Sequence, residues 1–279
     1  MSVKTEKWIV HSLLLALALI IAVVTVIPTL NMFSTALKSQ TEVFVFPPKL
    51  IPNVLAWSNF KRLFAMYDFG TWYSNSLFIA VTSSLATVLS SPFIAFGFAR
   101  YKTRGKAAMF NFLLATMMLP YPVVMIPQFI LFRNLGWVDT FLPIIVPNFF
   151  GSAYMIFLIR QYYTSLSAEL FEASRIDGAS EFRQWWSMAL PLSGPVIATV
   201  AIFSFLGSWN DLLGQVLYLN SSTKFTLTVG MTSMYASATR LVPWNLVMVA
   251  AILSLLPILL LFAFSQKYFV QSIVSTGVK

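Results

Sequence analysis

The sequence has no cysteine and a single histidine, His11. This shortage excludes a disulfide framework and leaves too few ligands for the usual zinc sites, so we expect no metal site. Charge is also scarce, at 10% of 279 residues, whereas a soluble domain carries about 25%. A chain that is 58% hydrophobic cannot cover a water-facing surface, which indicates an integral membrane protein with the lipid bilayer as a partner.

The net charge of +9 does not indicate a nucleic-acid partner, because lysine and arginine in membrane proteins mostly mark topology. A nucleotide-binding loop is absent too. Gly105-Lys106 is followed by alanine, and no glycine lies five residues before Gly105. The chain is therefore not expected to bind or hydrolyse ATP itself.

The predicted spans contain almost no ionisable side chains, although proton- or sodium-driven carriers usually place them at membrane depth. The candidate is Asp211, which lies about 28 Å along a helix counted from Leu192 and thus near the outer surface. Asp211 is either an ordinary helix-end carboxylate or, with Trp209 and Asn210, a polar contact on a translocation path.

Six stretches reach the length of about 20 apolar residues that a transmembrane helix needs. The sequence predicts an all-α membrane protein in which residues 1–279 form a single transmembrane domain. The first stretch is longer than a signal-peptide core, so we expect it to be retained. Prolines within the stretches are expected to kink the helices without ending them. The predicted spans are 9–30, 72–99, 107–132, 141–163, 192–213 and 243–265.

Lysine and arginine set the orientation of these spans. Eleven of the eighteen fall on one side, and four of those lie in the short loop 100–106, where the positive-inside rule is most reliable. Both termini are therefore predicted to be cytoplasmic. The first external segment, 31–71, contains prolines followed by Trp57, Phe60, Leu63 and Phe64 at helical spacing, which predicts a short amphipathic helix.

Residues 168–190, called the docking segment below, form a charged island between the fourth and fifth spans. Ser167 is predicted to cap one helix, Gly178 to stop it in a left-handed conformation, and Ser180 to cap a second helix. Glu172 and Arg175 are expected to pair. Such a helix-turn-helix is either a docking element for a soluble partner or a plain surface connector.

The docking segment resembles a motif of the membrane subunits of binding-protein-dependent ABC importers. That motif reads E-A-A, three residues, G, nine residues, I, one residue, L-P. Here the sequence has Glu172-Ala173-Ser174, Gly178, Met188 and Leu190-Pro191 at the same spacing. Ser174 replaces the second alanine and Met188 replaces the isoleucine, and both substitutions keep the size similar.

The resemblance extends beyond the motif to the carbohydrate-importing branch typified by the maltose transporter, in its second, six-span subunit. It is carried by three further stretches: FPPKLIP with WSNFKRLF, LPLSGPVIATVAIFSFLGSWND, and the ending QKYFVQSIVSTGVK. It implies a permease subunit, not an enzyme, that moves a carbohydrate, expected to be an oligosaccharide, across a bacterial or archaeal cytoplasmic membrane.

The resemblance also implies partners and site residues. The partners are a second permease subunit, a dimer of ATPase subunits that holds ATP and Mg, and an extracytoplasmic solute-binding protein; no cofactor is implied on this chain. The tail 271–279 would reach the ATPases, and the loop 218–243 would meet the binding protein. The implied ATPase-coupling residues are Glu172, Ala173, Ser174, Asp177, Gly178, Leu190 and Pro191. The implied binding-protein contacts are Asn220, Ser221, Ser222, Thr223 and Lys224.

Two alternatives use the same residues differently. A secondary carrier or facilitator would work without ATP, but it would need intramembrane charge or matching repeats, which the sequence lacks. A scaffold or quality-control membrane protein would have no need of the capped docking segment with its fixed spacing.

Overall fold

The computed structural model describes residues 3–236 and 242–276, and within these ranges the regular structure is helical, with no strand. Residues 237–241 of the predicted external loop and 277–279 of the predicted tail lie outside the described residues. Short 3₁₀ turns at Val146–Phe150 and Ser222–Lys224 and a π-helical turn at Trp185–Ala189 join some of the helices. The helices are α1 (Val3–Ala36), α2 (Gln40–Val43), α3 (Ser58–Met66), α4 (Phe69–Arg100), α5 (Lys106–Thr116), α6 (Tyr121–Asn134), α7 (Leu142–Ile145), α8 (Ala153–Ser165), α9 (Ala168–Ile176), α10 (Glu181–Gln184), α11 (Leu190–Leu192), α12 (Gly194–Trp209), α13 (Leu213–Tyr218), α14 (Leu227–Ala236) and α15 (Trp244–Thr276).

The described helices include four that are long and apolar enough to cross a membrane, at His11–Ala36, Phe69–Arg100, Leu142–Ser165 and Trp244–Gln266. Two more spans arise if each bent pair, α5 with α6 and α10–α11 with α12, is counted as one. The all-α membrane class is thus confirmed, with four to six spans by length and composition.

The third predicted span, 107–132, is not one kinked helix, which corrects the expectation that proline would not end it. Helix α5 stops at Thr116, and α6 begins at Tyr121 at 99° to it. Pro120 has no N–H to bond the carbonyl of residue 116, and its extended backbone (ψ 137°) starts a new helix. Pro122 lies in the first turn of α6, where the missing N–H costs no hydrogen bond within the helix.

One compact unit comprises Met1–Phe69 with Met231–Leu256. It contains the short amphipathic helix predicted within residues 31–71, which is confirmed as a helix by α3, with Leu63 fully buried. The buried Asn59 organises this unit, because its Nδ2 donates to the carbonyls of Ala36 (2.8 Å) and Lys38 (2.9 Å). Asn245 at the start of α15 donates to the Lys38 carbonyl as well, at 3.3 Å.

The other compact unit comprises Gly70–Gly230 with Pro257–Lys279. Its core gathers side chains from α4, α8 and α12 around Phe96, Ile159, Tyr163 and Val200. Phe171 and Trp185 of the docking segment belong to the same buried cluster. The docking segment is therefore packed on the ends of the spans and not suspended from them.

Residues 146–152 interrupt the helix of the fourth predicted span. Gly151 has φ +84°, a conformation that L side chains rarely adopt, and a Cβ there would also lie 2.9 Å from the Ile94 and Ile156 Cδ1 atoms, so the backbone favours glycine at this position. Helix α4 satisfies backbone groups at the break: Ser90 Oγ donates to the Asn148 carbonyl (2.9 Å), and Ser91 Oγ accepts from the Ser152 N–H (3.2 Å). The polar residues of α4 thus stabilise a discontinuous helix in a membrane.

Candidate functional site

The docking segment begins with α9, which ends at a turn built around Gly178. The Ala179 N–H donates to the Ser174 carbonyl (2.9 Å) and the Gly178 N–H donates to the Arg175 carbonyl (3.1 Å), which together form a Schellman motif. Gly178 has φ +81°, so the predicted left-handed stop is confirmed. These two hydrogen bonds satisfy carbonyls at the end of α9, and they hold the turn in this conformation.

The caps and the ion pair of the docking segment differ partly from the prediction. Ser180 accepts a hydrogen bond from the Arg183 N–H (3.3 Å) as expected, whereas the Ser167 side chain makes no capping bond. The predicted Glu172–Arg175 pair is wrong, since Arg175 Nη2 lies 2.8 Å from Glu181 Oε1. The turn at Gly178 folds α10 back towards α9 and brings the Glu181 carboxylate within reach.

Two aromatic side chains fix the docking segment to the spans. Phe171 of α9 is buried against Phe96 of α4, with ring centroids 6.0 Å apart, and Trp185 packs edge-on against Phe93 at 5.1 Å. The Arg100 guanidinium lies 3.9 Å from the centre of the Phe171 ring. A force on α9 would therefore reach α4 through direct side-chain contact.

Arg100 also terminates α8. Its Nη2 donates to the carbonyls of Tyr163 (2.8 Å) and Leu166 (3.0 Å), which satisfies acceptors that a helix end leaves unpaired. Burial, and after it the Glu181 carboxylate, raise the pKa of the neighbouring Tyr101 phenol. The Arg100 side chain, which belongs to α4, thus contacts both the end of α8 and Phe171 of α9.

The predicted junction at Leu190-Pro191 lies directly after the π-helical turn. The Leu190 N–H bonds the Trp185 carbonyl five residues back, which is the wider π pattern. Pro191 cannot donate to the carbonyl four residues before it, so the helix widens just ahead of the proline. The chain then bends by 82° at Ser193, immediately before α12 starts at Gly194.

The surface of the docking segment presents most of the predicted coupling residues. Glu172, Ala173, Asp177 and Gly178 are exposed. Sequence reasoning missed Ile176, an apolar side chain that is 87% exposed between them. A cavity of about 370 Å³ opens beside this surface and is lined by residues that include Arg100, Lys102, Glu172, Arg175 and Glu181.

The three predicted path residues are in different environments. Trp209 is buried and stacked on Phe205, with ring centroids 5.6 Å apart. Asn210 is exposed, and its Nδ2 donates to the Leu206 carbonyl at the end of α12 (2.9 Å). Asp211 lines a cavity, while its Oδ1 accepts from the Gly214 N–H (3.0 Å).

The predicted binding-protein loop, 220–224, is held by an acidic residue that the sequence analysis did not single out. Asp139 Oδ1 accepts from the N–H groups of Asn220 (3.0 Å) and Ser221 (2.9 Å), and Lys224 Nζ lies 3.3 Å from Asp139 Oδ2. The Ser221 hydroxyl donates to the same carboxylate. These hydrogen bonds, with that of the Ser221 hydroxyl the strongest, hold the pKa of Asp139 well below its usual value.

The backbone of Asp139 has the left-handed conformation. Its φ is +59°, and aspartate is one of the few non-glycine residues that adopt this conformation readily. Asn75 of α4 holds the far end of the loop, since its Nδ2 donates to the carbonyls of Thr223 and Phe225, each at 3.0 Å. The loop is therefore a fixed surface between two polar anchors.

Comparison with known proteins places this geometry in a family. Residues 91–275 match the family described as the binding-protein-dependent transport system inner membrane component. The chain is 32% identical to the arabinooligosaccharides transport system permease protein AraQ of Halalkalibacterium halodurans, over 93% of both chains. It is 30% identical to the sn-glycerol-3-phosphate transport system permease protein UgpE of Yersinia enterocolitica, over 92% of this chain and 94% of that one.

A solved structure has the same fold. It is a crystal structure of a bacterial ABC transporter involved in the import of the acidic polysaccharide alginate, with a TM-score of 0.83 and 25% identity. The similarity covers 96% of this chain and 99% of that one. The family match covers well over half of the sequence, including the whole docking segment. The chain therefore belongs to the family of binding-protein-dependent transport system inner membrane components.

Proposed function

We propose that this chain is a permease subunit of an ABC importer that moves a carbohydrate, and specifically an oligosaccharide, into the cell. A partner ATPase dimer supplies the energy, a second permease completes the pathway, and an extracytoplasmic binding protein delivers the sugar. The name of the arabinooligosaccharide relative supports the substrate class. The chain contributes no catalytic group to ATP hydrolysis.

The observation that carries this proposal is the construction of the docking segment. Its outer surface exposes a short helix with Ile176 and the open turn at Gly178, while its inner surface is buried against the spans through Phe171 and Trp185. A plain surface connector would not need both an anchored inner side and an apolar residue held out in solvent. This arrangement suits a helix that receives movement from a soluble partner and passes it on.

Transport follows from two states of the helices with different affinities for the partner. Closure of the ATPase dimer pulls α9, and the Phe171 contact with Phe96 and Arg100 transfers the movement to α4 and α8. The bend at Ser193 lets α12 change its direction relative to the docking segment. ATP binding thus shifts the bundle between inward-open and outward-open states.

We propose an orientation in which the docking segment and both termini lie in the cytoplasm. The cationic loop 100–106 supports this side, and it lies beside the docking segment through Tyr101 and Lys102. The loop 220–224 then faces outwards, where Asp139 and Asn75 hold it for contact with the binding protein.

Replacing Ile176 tests the docking role. We expect Ile176→Asp to abolish co-purification of the chain with its cognate ATPase, because a carboxylate would be buried at the contact without a partner. Ile51→Asp is the matched control, since Ile51 is 80% exposed in the first external segment. Normal ATPase association of Ile176→Asp, or uptake by the reconstituted complex without ATP, would refute the proposal.

A further inference from the structure

A cavity of about 360 Å³, lined by both polar and apolar residues, lies beside the break in the helix of residues 142–165. Ligand pockets in proteins range from about 300 to 1,000 Å³, so the volume suits a small ligand or one end of a longer chain. Thr87 of α4, Asn148 at the break, and Ser204, Ser208 and Asp211 from α12 and its end line the cavity. All five side chains can form hydrogen bonds.

The hydroxyls of Ser204 and Ser208 lack partners. In the part of the chain that the structure describes, neither Oγ atom has a hydrogen-bond partner, and both atoms are buried. Serine within a helix ordinarily bonds the carbonyl four residues back, as Thr199 does with Pro195 at 3.0 Å. Buried hydroxyls without partners cost free energy. Both serines line the cavity, so rotation of each side chain to another staggered rotamer would let its hydroxyl bond a ligand there.

The backbone beside the cavity is also suited to a ligand. Non-helical backbone inside a membrane occurs where it is buried in protein or lines a cavity, and transporters use such breaks as substrate sites. Asn148 lies in the 3₁₀ turn of the break, and its Nδ2 donates to the Ile144 carbonyl (2.7 Å). Its backbone carbonyl accepts from Ser90 Oγ (2.9 Å) and its Oδ1 accepts from Thr87 Oγ1 (3.4 Å), so the backbone and the amide side chain are both held at the cavity wall.

The charge of the lining selects a class of ligand. None of the ten described lining residues is lysine or arginine, and one, Asp211, is acidic. An anionic group would enter without a cation to pair with, and burying an unpaired charge is costly. Sugar hydroxyls both donate and accept hydrogen bonds, so they match serine, threonine, asparagine and a carboxylate. Phe203 adds an aromatic surface of the kind common in ligand pockets.

We infer that this cavity is a substrate contact within this subunit and that it accepts an uncharged sugar unit, not a phosphorylated or acidic one. The inference rests on the proposed function, and it narrows that function. The substrates in the names of the relatives differ in charge. One name gives arabinooligosaccharides, another gives sn-glycerol-3-phosphate, and the alginate transporter imports an acidic polysaccharide.

Gly207 provides a steric test, because it lines the cavity and a Cβ built there has no heavy atom within 4 Å. Gly207→Leu would fill the cavity without a clash at the Cβ, and leucine favours a helix more than glycine does. Gly70→Leu is the matched control, since Gly70 of α4 is equally open and lies outside the cavity lining. Ser204→Ala with Ser208→Ala removes the unpartnered hydroxyls without adding volume.

The assay uses the whole importer in proteoliposomes, with this chain and its cognate partner permease, ATPase and binding protein. The labelled probes are neutral trisaccharides of arabinose, xylose, glucose and maltose type, together with sn-glycerol-3-phosphate and an alginate trisaccharide. We expect uptake of a neutral probe to fall about tenfold or more in Gly207→Leu and in the double serine variant, a loss of about 1.4 kcal/mol or more. Gly70→Leu should transport like the wild type.

The ATPase activity stimulated by the binding protein separates this inference from the proposed function. It should remain in both cavity variants, which also shows that they fold and assemble. Unchanged uptake in both cavity variants would overturn the site, and uptake of only the anionic probes, or of no probe, would overturn the neutral class. A wild-type complex without stimulated ATPase activity would instead contradict the proposed function.

Discussion

Gly178 separates two explanations for the glycine in the docking segment. Either it is needed only for the left-handed turn, or a partner's backbone also approaches it closely. The backbone has φ +81°, where an L side chain costs about 1–2 kcal/mol, although asparagine tolerates this region better than alanine does. No heavy atom lies within 4 Å of a Cβ built there, so a substitution causes no collision within the chain.

The two explanations rank substitutions in opposite orders. A strain of about 1–2 kcal/mol is small beside a typical stability of about 5–15 kcal/mol, so Gly178→Ala, Gly178→Asn and Gly178→Asp should all fold. If a partner's backbone lies close to Gly178, side-chain size decides the effect. We then expect sugar transported per ATP to fall about tenfold for the asparagine and aspartate variants and only about threefold or less for alanine.

The assay measures ATP hydrolysis and sugar uptake by the same proteoliposomes, so that coupling is a ratio. Gly136→Asn is the control, because Gly136 has φ +70° with open space around it and lies outside the docking segment. That variant should remain fully coupled. If alanine at position 178 uncouples transport more than asparagine does, turn strain explains the glycine and close approach of a partner is refuted.

Three further predictions concern the supports of the site. Asp139→Asn should speed amide hydrogen exchange in the loop 220–224 about tenfold, because it weakens the hydrogen bonds that hold the loop. In the wild type, the lowered pKa of Asp139 means that the carboxylate stabilises the loop fully above the ordinary carboxyl pKa. Protection of the wild-type loop should therefore stay constant from about pH 5 to 8 and fall only as acid protonates the folded carboxyl. If the loop of the Asp139→Asn variant is as well protected from exchange as the wild-type loop, the loop does not depend on this charge. Arg100→Lys removes the forked bonds to two carbonyls and the contact with the Phe171 ring, and should lower the Tm of the purified complex by the equivalent of about 1–3 kcal/mol; an unchanged Tm would contradict the capping role. Trp185→Ala should cost about 3–5 kcal/mol of unfolding free energy because the side chain is buried, whereas Trp186→Ala, at a 53% exposed residue, should change the Tm little, and equal effects would contradict the packing described.

Local features of the docking segment could be predicted from the sequence. A glycine after an amphipathic helix and a serine before an acidic residue have few structural uses, and Gly178 and Ser180 form the expected stop and cap. The Glu172–Arg175 pair could not be judged in the same way. It competed with Glu181, and only the direction of the turn decides which carboxylate Arg175 reaches.

Features that depend on tertiary contacts were not predictable. Pro120 marks a sharp bend, but the 99° angle between α5 and α6 depends on the contacts of each half. The Asp139 anchor joins residues about 80 positions apart, and no local pattern encodes that distance. Trp209 was grouped with Asp211 because the two are close in sequence, yet the helix turns the indole into the core and leaves the carboxylate at the cavity.

The absence of native cysteine makes cross-linking the most direct test of the central claim, that the docking segment transmits movement between an ATPase and the spans. Ile176→Cys would be the only cysteine in this chain, and its counterpart would be a cysteine placed in the proposed ATPase partner, on the surface that is expected to receive the docking segment. We expect a disulfide to form between the two chains and to stop ATP-driven sugar uptake, and we expect reduction of the disulfide to restore uptake. The control variant Ile51→Cys should form no cross-link to the ATPase. Full uptake with the Ile176→Cys disulfide in place, or no cross-link to any cleft position in an actively transporting complex, would contradict the coupling role.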